Sequence, residues 1–195
     1  MSKLITDTIF LQRLVKNRGI QNQGQTVHHS VVIDGSKSNL PTVTLVGQTF
    51  TGSVTIQNFS YPQFFVHLED SHFGELIIRD VTGSSINIRS CTVNLVSLWR
   101  CRLKTAYLEQ IAVKRLLDTS GLQLSEGLFL RATTFGDLRL LGDPNRKMWI
   151  KTPWVQTDSL EASRQFELAK IPVFVPTSIV RQDLCLRGKL PKSAG

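Results

Sequence analysis

From Leu76 onward every fifth residue is apolar: Leu76, Val81, Ile86, Cys91, Val96, Cys101, Ala106, Ile111 and Leu116. Two residues after each rung runs a second series, Ile78, Gly83, Ile88, Val93, Leu98, Leu103, Leu108 and Val113, in which glycine is the one break. The 24 other positions between Ile77 and Arg115 hold only five apolar residues, so the oily set is concentrated in the two series. A helix repeats at about 3.6 residues and a simple strand at about 2, and neither keeps this rhythm. The order in–out–in–out–out describes a three-residue strand with both ends pointing inward, followed by a two-residue corner. Four such sides close a square coil of about 20 residues, and coils stack about 4.8 Å apart like strands of a parallel sheet. The core is then a narrow column, and backbone groups pair with the coils above and below.

The pattern extends in both directions. Upstream it predicts inward pairs at Val43/Leu45, Gln48/Phe50, Val54/Ile56, Phe59/Tyr61, Phe64/Val66 and Ser71/Phe73. Downstream it predicts Leu122/Leu124, Leu128/Leu130, Thr133/Phe135 and Leu138/Leu140. Short insertions at 51–53, near Leu68 and around 119–121 are expected to bulge from corners. Residues 43–140 then make about five coils, about 24 Å long. Residues 20 apart become neighbours, which sets Asp80 over Arg100, Arg89 over Glu109 and Arg79 over Trp99.

Three regions follow. Residues 1–42 hold a capping helix, begun at Thr6-Asp7 and stopped before Gly19, and an opening strand Val31-Val32-Ile33 that turns at Asp34-Gly35. Residues 43–142 form the solenoid. Residues 143–195 form an appendage whose helix starts at Asp158-Ser159-Leu160-Glu161, with Asp158 as the acceptor, and ends by Lys170 before Pro172. Trp149 and Trp154 are expected to bury against the last coil.

The paired ladders resemble those of the pentapeptide-repeat proteins. Phe73, Ile88, Val93, Leu98, Leu103 and Leu108 match that family's central apolar position, and Cys91, Val96, Cys101 and Ala106 its small inward position. The repeat is degenerate: Leu76, Ile86, Ile111 and Leu116 are bulky where the family has small residues, and its Asp or Asn before the central residue appears only as Asn87. The resemblance implies an all-β fold, a right-handed parallel β-helix of quadrilateral section, to which the helix signals above add short capping helices at both ends. It also implies a homodimer contact through the C-terminal segment, as in some members. The members that mimic DNA and bind topoisomerases need an acidic surface, and a net charge of +8 argues against that role.

The charge is uneven. Residues 43–75 carry three acids and no Lys or Arg, whereas 76–118 and 144–195 are strongly basic. With 41% hydrophobic and 19% charged residues, the chain has the material for a real core. Three cysteines without close spacing, no signal-peptide pattern and no apolar run of about 18 residues point to a cytoplasmic protein with no membrane span. His67 and His72, near Glu69, Asp70 and Glu75, are the one metal-like group, but a five-residue spacing sets the imidazoles on adjacent walls. His28-His29 fares no better. Cys91 and Cys101 take inward positions and read as buried thiols, and Cys185 has no activating neighbour. No catalytic triad, phosphate loop or paired-carboxylate signature stands out, so neither a catalytic residue nor a cofactor or metal is expected.

What remains is the outward surface. Trp99, Arg100, Arg102 and Lys104 gather where two walls meet, with Lys114 and Arg115 on the wall opposite Arg102. An exposed Trp among basic groups suits a partner anchor. The competing reading is that Trp99 only stacks on Arg79 and Arg100 only pairs with Asp80. The expectation is a non-catalytic solenoid that binds a neutral or acidic protein target as an inhibitor or adaptor. The alternative is a nucleic-acid-binding protein that uses the basic wall and C-terminal tail, and a β-helix enzyme ranks third.

Overall fold

The computed structural model describes residues 20–21, 26–37, 40–140 and 150–176. Over these the chain is a parallel β-solenoid of about seven turns with little helix, consistent with a right-handed β-helix. On the first wall, Ile20–Gln21, Thr42–Val46, Phe65–Glu69, Ser85–Arg89, 105–109, 127–131, Val155–Thr157 and Val173–Phe174 lie in succession. A second wall runs from Thr26–Val27 and Val31–Asp34 through segments of Thr49–Ser60, His72–Thr82 and Thr92–Trp99 to Ala112–Asp118 and Thr134–Arg139. A short wall closes the section, with Ser60, Thr82, Arg102, Gln123 and Lys151 in one column.

The ladder points where its rhythm says. Val81, Ile86, Cys91, Val96, Cys101, Ala106 and Ile111 are all buried, as are Ile88, Val93, Leu98, Leu103, Leu108 and Val113. Burying one such aliphatic side chain contributes about 1.5–3 kcal/mol, so the column is the main source of cohesion. Toward the N-terminal end its filling becomes aromatic. Phe50 stacks on Phe73 at 5.5 Å and Phe59 on Phe64 at 4.1 Å.

The departures occur where coils gain residues. Leu116 is half-buried, and Leu117 takes its inward place opposite Val96, because the corner at 114–115 holds one residue too many. Tyr61 is 40% exposed rather than inward. It opens a turn in which the Phe64 N–H donates to the Tyr61 carbonyl at 2.9 Å. The extra residues therefore lie in that turn and not at the expected place near Leu68; Leu68 is fully buried in an unbroken register between Leu45 and Ile88. The later insertion sits at Ser125-Glu126 as well as 114–115, not at 119–121.

The coil is not a square with four equal corners. Asp70, Asp80, Ser90, Arg100 and Gln110 have φ between 49° and 55°, so every second corner is a sharp left-handed one. At most of the other corners a strand runs through with a bulge, and at 83–84 it breaks between Thr82 and Ser85 where two backbones approach closely. Gly83, the single break in the ladder, marks that approach. A Cβ there would lie 2.4 Å from the Phe64 carbonyl oxygen, so the position has no room for a side chain.

Both ends hold more coil than the ladder shows. Val31–Asp34 is paired along its length with Val54 to Gln57, so the first coil begins well before residue 43. Val155–Thr157 continues the first wall over Leu128, Phe129 and Leu130, so the chain returns to the solenoid after 143. The helix Leu160–Leu168 then crosses the open end and lays Ala162 and Phe166, both fully buried, against the core. Its cap is Ser159, whose side chain accepts from the Ala162 N–H. Asp158 instead accepts from the Ala132 N–H at 2.6 Å and ties the segment to the coil below. The expected N-terminal helix, Trp149, Cys185 and the tail lie outside the described residues.

Asp34 is the tightest polar knot of the first coil. Burial raises its pKa, but hydrogen bonds from Ser36, Gln57 and Asn58 outweigh that and hold it at about 2. Its stabilising effect is therefore fully present above the ordinary value of 3.8 and lost as pH falls toward 2. Asp34→Asn should lower the thermal midpoint near neutral pH, and the gap to wild type should close in melts recorded across that acid window. Ile86→Asp should unfold the chain, since a buried unpaired carboxylate costs several kcal/mol, and circular dichroism would show the loss of β signal. Gly83→Ala should cost about 1–3 kcal/mol in a denaturant titration, because a backbone carbonyl rather than a flexible side chain must move.

Candidate functional site

Parallel stacking turns every outward position into a column, and the charges on these columns fall into two groups. In the first, cations meet partners on the next coil. Arg100 makes two contacts of 2.7 Å to the Asp80 carboxylate. Arg89 reaches Glu69 at 3.8 Å, Arg131 reaches Glu109 at 3.5 Å, and Arg139 reaches Asp118 at 3.6 Å. The Arg79 guanidinium donates twice to the Gln57 amide oxygen, at 2.8 and 2.6 Å. Such exposed pairs contribute no more than about 1 kcal/mol each, so their main effect is to cancel charge.

The 20-residue register holds at all three predicted stacks. Asp80 bonds Arg100 directly. Arg89 lies opposite Glu109, but its ion pair goes down the column to Glu69, while Glu109 pairs upward with Arg131. Trp99 lies opposite Arg79, but the cation over its ring is Arg100, at 4.0 Å. A Cβ on Gly121 would be 2.8 Å from the Trp99 ring, so that glycine lets the next coil close over the indole. Trp99 is half-buried in this cluster. Of the four residues singled out in the sequence, Trp99 and Arg100 are thus occupied with each other and with Asp80.

Arg102 and Lys104 form the second group. Both are exposed, and neither makes an ion pair with any described residue. They line an open groove of about 450 Å³ on the short wall, together with Gly83, Gln123, Ser125 and Lys151. Leu103 and Leu124, only 5% and 7% exposed, form its floor. Lys151 likewise has no ion pair among the described residues. Sequence reasoning assigned it to the appendage and missed it. Its column partner is Gln123, 28 positions earlier, and a 20-residue rule does not look that far. Lys114 and Arg115 are exposed at a bulged corner elsewhere, where a Cβ on Gly136 would lie 2.7 Å from both their carbonyl oxygens.

The remaining candidates have local roles. His67 lies 3.2 Å from Glu69, and His72 stacks between Thr49 and Thr92. Among the described residues, no three His, Cys, Asp or Glu side chains gather as a metal site would require. No described helix is long and apolar enough to cross a membrane. Burial pushes the Cys91 thiol up to about 11, with the charges of Asp70 and Glu69 adding to the effect. Burial likewise raises Cys101 to about 12, with a smaller contribution from Asp80. Thiols so poor in thiolate should stay unmodified when the folded chain meets iodoacetamide near neutral pH. Mass spectrometry should find label at Cys91 and Cys101 only after denaturant is added. Comparison with protein-family models, with curated proteins and with solved structures finds no match to this chain.

Proposed function

We propose that this chain is a non-catalytic solenoid of pentapeptide-repeat type that binds a protein through its short wall. The observation that carries the reading is the sorting of its cations. Arg79, Arg89, Arg100, Arg131 and Arg139 are matched to Gln57, Glu69, Asp80, Glu109 and Asp118, whereas Arg102, Lys104 and Lys151 stand together over one groove without an acid in its lining. Clustered unpaired charge on a rigid surface favours an anionic partner and speeds its approach. The same pairing argues against acid–base catalysis, because Glu69, Asp80, Glu109 and Asp118 each face an arginine.

Magnitude separates the two anionic partners. Strong sequence-independent binding to duplex nucleic acid uses about 6–10 phosphate contacts, and three cations would give a salt slope of only about −3. An acidic patch on a protein needs fewer charges and gains from the apolar floor at Leu103 and Leu124. The test is capture from host extract on immobilised wild type and on R102E/K104E/K151E. The triple variant should lose the retained protein while its melting temperature stays within about 3 °C, since all three changes are at the surface. Equal retention by both would remove the groove as the binding face. Retention of nucleic acid in place of protein would favour the alternative.

A further inference from the structure

We infer that the groove receives an acidic segment of the partner in polyproline-II conformation, laid along the solenoid axis. This rests on the groove being the binding face. Its lining comes from successive coils: Gly83, then Arg102 and Lys104, then Gln123 and Ser125, then Lys151. At about 4.8 Å per coil it runs about 14 Å parallel to the axis and perpendicular to the strands.

The wall does not accept an added strand along that line. Its backbone groups are already engaged between coils. The Gly83 N–H donates to the Arg102 carbonyl at 3.0 Å, and that of Lys104 to Ser84 at 2.9 Å. The N–H of Leu124 donates to Lys151 at 2.7 Å, and that of Lys151 to Leu122 at 2.9 Å. A ligand here finds those amides already bonded and must keep its own backbone hydrated. The polyproline-II helix has no internal hydrogen bonds and does so.

The charge spacing points the same way. Arg102, Gln123 and Lys151 share one column, which sets the two cations two coils, or about 9.6 Å, apart. A polyproline-II chain returns a side chain to the same face every third residue, about 9.3 Å on. An extended strand does so every second residue, about 6.8 Å, which matches neither one coil nor two. Acidic residues at every third position would meet Arg102 and Lys151, and proline rings between them would rest on Leu103 and Leu124. Gln123, lying between the cations, offers an amide donor to a hydrated carbonyl of the ligand.

The experiment is fluorescence anisotropy on the full chain with two labelled twelve-residue peptides of one composition. One repeats Glu-Pro-Pro four times, and the other places all its glutamates in a block before the prolines. The repeating peptide should bind at least about tenfold tighter, and R102E/K151E should weaken it by at least about tenfold. Lys114→Glu with Arg115→Glu, on another corner, should leave it unchanged. Equal affinity for the two peptides would overturn the inference by showing that net charge alone is recognised. So would no binding of either peptide, or tighter binding of an oligothymidylate of equal length. Each of these leaves the capture experiment with the charge-reversed triple variant to judge the groove itself.

Discussion

The hydrogen bonds of this molecule run along its axis, from each coil to the next, and the rest of the structure depends on that direction. No wall can close its backbone bonds within its own coil, so each coil needs neighbours on both sides. Outward side chains therefore meet neighbours about 20 residues away in sequence. The same rule fixes where glycine is required. At Gly83 a backbone carbonyl of the coil below occupies the place of a Cβ, and at Gly127 the Trp154 ring does. It also explains the ends. Phe166 covers the last coil because a column of apolar side chains would otherwise meet water there.

Stacking makes surface chemistry one-dimensional. A charge on one coil lies about 4.8 Å from whatever the next coil presents, so columns either alternate in sign or repel. The columns of Glu69 and of Asp80 alternate, and they are electrically quiet. The column of Arg102 and Lys151 contains no acid, with Gln123 between the two cations. That contrast, more than the net charge of +8, distinguishes one face from the others.

The fold was legible wherever coils keep one length. Between Phe65 and Val113 residues pair at a spacing of 20, and there the two ladders, the buried thiols and the Asp80–Arg100 contact could all be read directly. Leu116 was misplaced because one added residue at 114–115 shifts the inward set to Leu117. Lys151 was missed because a much longer connection separates it from Gln123. The choice of Arg89 for Glu69 over Glu109 is a matter of side-chain direction, which the register leaves open. The left-handed corners were invisible for another reason. Arg100 and Gln110 adopt them although neither type favours that conformation, so the inter-coil bonds rather than local preference impose it.

The alternating column has a consequence for how the chain finds its register. Neighbouring coils are alike in length and in apolar pattern, so the core alone would tolerate a coil settling against the wrong partner. If one coil were skipped, Glu69 would face Glu109, and Arg89 would face Arg131. Such a slip is disfavoured by repulsion between like charges, whereas a slip of two coils would restore attraction. The outward charges thus carry parity information that the oily interior lacks, and they mark odd errors in assembly from correct stacking.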